Sequence, residues 1–165
     1  MSVEKIIHVS LDNLRFYVEK PPSTPPRLCI DNNEFFPEEY HWCSDPHIEQ
    51  VSSVVSSPFF HQMKMHDRHV FLIFRTKIIP SWIRMKFFRT KRSITAHSKK
   101  CSFTFDVLEQ KSNVTLKRNK ETNHIIIDCE IVENVSKYCC IEVGYDTGLD
   151  FWKPSYASYY VKIVK

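Results

Sequence analysis

Short runs in which apolar and polar residues alternate, repeated from about residue 68 onward, constrain this chain more than any other feature. Trp82-Ile83-Arg84-Met85-Lys86-Phe87-Phe88 alternates with a period of two, so one face of that element meets water. Phe103-Thr104-Phe105-Asp106-Val107 alternates too, and Asn113 to Leu116 reads as another strand. Ile125 to Val132 gives the clearest strand signal, Cys139 to Val143 follows, and a terminal strand runs around Tyr159 to Val164. Val70-Phe71-Leu72-Ile73-Phe74 is an unbroken apolar run of strand length and reads as a buried strand. Roughly six to eight short strands, with no amphipathic helix of good length, predict an all-β chain built as an immunoglobulin-like β-sandwich.

Residues 19–58 break this pattern. They hold Pro21, Pro22, Pro25, Pro26, Pro37, Pro46 and Pro58, with an acidic run from Glu34 to Glu39. Proline removes a backbone donor, so the stretch predicts an extended, Pro-rich N-terminal arm without regular structure. Its aromatics Phe35, Phe36, Tyr40 and Trp42 are expected to dock on the domain. Upstream, residues 3–18 alternate through Val3, Ile6, Ile7, Val9, Leu11, Leu14 and Phe16. The predicted organisation is an N-terminal segment and arm over 1–58, then the sandwich over 59–165.

Several function classes are excluded by what the chain lacks. Gly144 and Gly148 are its only glycines, too few for the loops that cradle phosphates at close backbone range. No G-x-S-x-G nucleophile elbow occurs. Cys43 lies near His41 and His47, yet nothing in the sequence orients or activates that thiol, and no enzyme activity is predicted. His61, His66, His69 and Asp67 lack the paired cysteines of a structural metal site, so neither metal nor other cofactor is expected. A net charge of +4 does not by itself call for nucleic acid. No window reaches the roughly 18 apolar residues of a membrane span, and Met1-Ser2-Val3-Glu4-Lys5 lacks the apolar core of a signal peptide. The expected location is cytoplasmic, where the six cysteines stay reduced.

The last residues concentrate the chemistry. After Gly148 come Phe151 and Trp152, then Tyr156, Tyr159 and Tyr160. Aromatic rings beside a tight turn suit the apolar faces of sugar rings, and they equally suit the end of a β-sheet. The spacing adds a resemblance. An apolar strand (Cys140 to Val143), a Gly turn, the pair Phe151-Trp152, and Tyr160 eight residues after the Trp resemble the closing segment of a family-21 carbohydrate-binding module. That module ends the glycogen-targeting regulatory subunits of type-1 protein phosphatase. Ile127-Asp128-Cys129 resembles the module's Phe-Asp-Ile strand. The stretch Lys77 to Phe87 is similar to its strand-turn-strand, with Ile83, Met85 and Lys86 in the Val-x-Val-Arg part. His8-Val9-Ser10-Leu11-Asp12-Asn13 looks like the Arg-Val-x-Phe phosphatase-docking box and the Ala-Asp-Asn after it.

The resemblance covers the chain thinly from end to end and implies a non-catalytic targeting subunit. His8, Val9 and Leu11 would dock the phosphatase catalytic subunit by adding an edge strand. Phe151, Trp152, Tyr156 and Tyr160 would bind carbohydrate, bringing the phosphatase to glycogen or to glycogen enzymes. The chain departs from the family at Lys153-Pro154-Ser155, where the module has Asp-Asn-Asn, and it lacks the module's second ligand Trp. The alternative reading uses the basic 84–100 face. Arg84, Lys86, Arg89, Lys91, Arg92, Lys99 and Lys100, interleaved with Trp82, Phe87 and Phe88, have the composition of a nucleic-acid- or protein-binding surface.

Overall fold

The described residues form twelve strands and, among them, no helix longer than a single turn. The computed structural model describes residues 17–53, 58–91, 103–107, 114–119, 121–131 and 137–164. Two sheets pack face to face as a β-sandwich. The first has the order β2-β1-β6-β10-β9, where β1 is Leu28–Ile30, β2 Asn33–Phe35, β6 His69–Phe74, β9 Val114–Asn119 and β10 His124–Glu130. The second runs β4-β3-β12-β11-β7-β8. Its strands are β3 Glu39–Asp45, β4 Ile48–Val51, β7 Trp82–Phe88, β8 Phe103–Asp106, β11 Tyr138–Tyr145 and β12 Ser155–Val164. β5, His61–Lys64, lies beside β12 as the parallel member of an otherwise antiparallel arrangement.

The long terminal strand β12 organises the second sheet. One side pairs β11 over its length, from Tyr138↔Lys162 to Tyr145↔Ser155. The other side is shared: β3 takes Tyr156 to Ser158, and β5 takes Val161 to Val164. Between the sheets, inward residues of both form one core. Ile83, Met85, Phe87, Ile141, Val143, Tyr159 and Val161 meet Val70, Leu72, Phe74, Ile125 and Ile127. The rings of Phe74 and Tyr159 meet edge to face, their centroids 5.6 Å apart, across the gap between the sheets. Removing such side chains from water contributes roughly 1.5–3 kcal/mol each.

Two sequence expectations differ from the structure. The run Val70 to Phe74 is buried on one face only: Val70, Leu72 and Phe74 are fully buried while Phe71 is 40% exposed. Among the described residues no further layer covers the outer face of the first sheet, so the apolar run forms a strand with one buried face. The stretch read as an arm without regular structure contains β1 to β4, which join both sheets through β6 and β12. Its prolines all lie outside these strands, where no ladder donor is needed: Pro21, Pro22, Pro25 and Pro26 precede β1, Pro37 and Pro46 lie between strands, and Pro58 follows β4. Pro21, Pro25 and Pro26 are buried. They are fastened by core donors, because the indole of Trp42 donates to the Pro22 carbonyl at 2.8 Å and the hydroxyl of Tyr159 donates to the Pro26 carbonyl. Trp42 is itself a core residue, 1% exposed.

Candidate functional site

The turn from β11 to β12 carries Phe151 and Trp152, and local hydrogen bonds shape it. The Asp146 carboxylate accepts from the Gly148 amide at 2.9 Å, and Gly148 has a φ of 73°, where a Cβ would be strained. The Trp152 amide then donates to the Leu149 carbonyl at 3.0 Å. This geometry throws Phe151 outward, 68% exposed. Trp152 is half-buried and fixed in place, since its indole N–H donates to the Cys43 carbonyl at 2.8 Å. Ser155 secures the same junction by accepting from the Cys43 amide and donating to its carbonyl.

Tyr156 is the second residue of β12 rather than part of the loop, and it is 47% exposed. Its ring stacks on His41 of β3 with centroids 5.4 Å apart and planes 18° from parallel. His41 in turn contacts the Glu49 carboxylate and lies 3.3 Å from the Pro154 carbonyl. His41 and Lys153 together hold the Glu49 carboxyl below the usual carboxylate range. Phe151, Trp152 and Tyr156 therefore share one corner of the second sheet, rimmed by Glu49 and Lys153. Tyr160 is not brought there. It is 7% exposed and packs with Phe88 and Cys140 under Phe60, and its hydroxyl donates to Glu39 at 3.2 Å. Burial pushes that hydroxyl's pKa well up, helped by Cys140 and Glu39, so it stays a donor.

The sheet register adds a residue that spacing along the chain does not reveal. Trp82 and Tyr156 are both opposite Gly144, and Tyr156 is opposite His41. Trp82, Gly144, Tyr156 and His41 thus form one row across β7, β11, β12 and β3. The indole of Trp82 lies across Gly144, in the space a Cβ would occupy. The only strand glycine is what lets that ring lie down beside Tyr156. The Arg84 guanidinium sits over the same indole, 5.4 Å from the ring centre. The row is a flat aromatic strip with polar groups at its margins. Such a surface stacks on ligands with apolar faces and polar edges, each ring adding about 0.5–1.5 kcal/mol beyond area burial where the partner is itself aromatic.

The other sequence candidates fall elsewhere. His8, Val9 and Leu11 lie outside the described residues, as do Arg92, Lys99 and Lys100 of the basic run. Within the described part of that run, Lys86 is paired with Glu142 at 3.1 Å and Arg84 faces Glu142 across the sheet, so its charge is partly compensated. His69 is held by Asp128 at 2.7 Å, and His61 stacks on Phe35 with centroids 3.6 Å apart. Cys43 is buried and its thiol is pushed up by burial. A cleft of about 610 Å³, lined by Phe35, Phe59, His61, Lys91 and Lys162 among others, includes Lys91 of the basic run but none of the predicted carbohydrate residues. No helix among the described residues is long and apolar enough to cross a membrane.

Fold and site define a β-sandwich with an aromatic corner. Compared with protein-family models, with curated proteins and with solved structures, the chain matches none.

Proposed function

We propose that the chain is a non-catalytic targeting subunit that holds a polyglucose ligand, such as glycogen, at the corner of Phe151, Trp152 and Tyr156, and that presents type-1 protein phosphatase through His8, Val9 and Leu11. Holding both partners on one chain converts dephosphorylation of glycogen-bound enzymes into an effectively intramolecular encounter. The observation that carries the reading is the pairing of two exposed rings, Phe151 and Tyr156, with a Trp152 whose indole nitrogen is fixed to the backbone. Exposed aromatic area at the β11–β12 turn and the start of β12 is suited to stacking on a ligand.

Loss of the family's Asp-Asn-Asn leaves Glu49 and Lys153 as the polar rim, already bound to each other at 3.4 Å. Fewer direct hydrogen bonds to sugar hydroxyls weaken discrimination between sugars, while stacking persists. Native gels cast with glycogen test the sugar half: wild type is retarded, and Phe151→Ala with Tyr156→Ala migrates as in a gel without glycogen. Equal retardation of the two proteins would remove the corner from the reading. Capture of the phosphatase catalytic subunit by the full chain, abolished by Val9→Ala with Leu11→Ala, tests the other half. Capture that ignores this double change sinks the docking box.

A further inference from the structure

A second site is built on the outer face of the first sheet, remote in sequence from the aromatic corner. The sulfur of Cys29, a carboxylate oxygen of Glu34 and a ring nitrogen of His124 all lie within 4.8 Å of one another. The strand geometry holds them there. Asp31 and Asn32, with φ of 46° and 68°, close a two-residue turn of the type that joins β1 to β2, and Cys29 and Glu34 are directly opposite in that hairpin. His124 opens β10, which is joined to β1 through β6. Each donor therefore comes from a different, hydrogen-bonded strand.

We propose that Cys29, Glu34 and His124 bind a divalent transition-metal ion of the zinc class, with a fourth position open to solvent. A thiolate, an imidazole and a carboxylate are the donor types zinc accepts, at about 2.3 Å for sulfur and about 2.0–2.2 Å for nitrogen and oxygen. Hard ions such as magnesium and calcium prefer all-oxygen sets. Donor separations within 4.8 Å need only small side-chain rotations to close on such an ion. Cys29 and His124 are half-buried and Glu34 is exposed, so an ion reaches the trio from solvent and keeps room for a water or substrate donor. Arg75 donates to Glu34 Oε2 at 2.9 Å, and Arg27 approaches the same oxygen at 4.0 Å. A carboxylate has two oxygens, so this contact is compatible with a metal bond through Oε1. It then acts as the outer hydrogen bond that ligating carboxylates commonly have. Binding releases the thiol proton of Cys29, because the thiolate is the ligand.

The experiment uses the reduced, metal-free full chain and cobalt(II) and zinc(II) ions as probes. Cobalt should produce a thiolate-to-metal charge-transfer band together with the visible bands of a tetrahedral site, and one equivalent of zinc should abolish both. Cys29→Ser should lose the charge-transfer band, and His124→Gln should weaken zinc binding at least about ten-fold in competition with a chromophoric chelator. Zinc should raise the melting temperature of wild type and of neither variant. Absence of the band at saturating cobalt overturns the proposal. So does a band of equal strength in Cys29→Ser, which assigns the ion to another thiol. Should Cys29→Ser fold poorly, His124→Gln decides alone: unchanged zinc affinity there also overturns it.

Discussion

Tyr156 and Tyr160 project from the same face of the same strand, yet one is 47% exposed and the other 7%. The strand does not explain the difference; the neighbours do. Opposite Tyr156 the adjacent strand is β3, which offers His41 as a stacking partner and leaves the outer side of the ring open. At Tyr160 the edge of β12 is passing from β3 to β5, and the segment entering β5 lays Phe60 against the ring, edge to face at 5.9 Å. Lys91 sits over that Phe60 ring in turn. One aromatic is left open to solvent, and the other is covered by the chain. An aromatic residue on the outer face of this strand thus stays exposed only where no connecting segment crosses it.

Substitutions that break this contrast are ordered by size. Tyr160→Ala should cost about 3 kcal/mol of stability, because it empties the small cluster with Phe88 and Cys140. Urea denaturation measures it, and a cost below about 1 kcal/mol would show that Phe60 does not cover the ring in solution. Tyr160→Phe removes only the donor to Glu39 and should cost about 1 kcal/mol in the same assay. Tyr156→Ala should stay within about 0.5 kcal/mol of wild type while losing retardation in glycogen gels, so stability and binding separate at the two tyrosines. Gly144→Ala sharpens the other end of the strip. The added methyl displaces the Trp82 indole, and Trp fluorescence should report a more solvent-exposed ring with Tyr156 stacking on His41 unaffected.

The smallest effect is a control on the opposite sheet. Asp128 raises the His69 pKa above 6.5, chiefly through their hydrogen bond. A group whose folded pKa is raised contributes stability that is fully present below its unfolded pKa of about 6.5 and is lost as pH rises through the folded value. Urea midpoints of wild type and Asp128→Asn should therefore differ most at low pH and converge above the folded His69 pKa. The gap between the Tyr156 and Tyr160 variants should be the same at both ends of that range.

Much of the fold is legible in the sequence because period-two alternation survives wherever the wet face carries polar residues, as it does not in Val70 to Phe74. β7, β10 and β11 show it: Ile83, Met85 and Phe87 are inward, and Trp82, Arg84 and Lys86 outward. β1 to β4 are not legible for two reasons. Three of them are only three or four residues long, too short for a periodic signal, and the prolines that suggest irregular chain flank these strands without entering them. The core position of Trp42 depends on its donation to Pro22, a contact composition does not encode. In the site, Phe151, Trp152 and Tyr156 are readable because they are neighbours along the chain. Trp82 and His41 are not, because strand register brings them to Tyr156. Cys29, Glu34 and His124 are hidden in the same way, since a scattered cysteine gives no ligand spacing and only the hairpin and the ladder through β6 bring the three together.

The shared edge of β12 also has a consequence for how the protein is made. Three strands, β11, β3 and β5, find their partner in β12, and β12 is the last described strand to leave the ribosome. Until it arrives, β3 and β5 have an unpaired side and the inward rings of the second sheet have no complete wall. Such edges invite pairing with other chains. The second sheet therefore closes only once β12 is in place, with β11, β3 and β5 all taking their partner from that one strand.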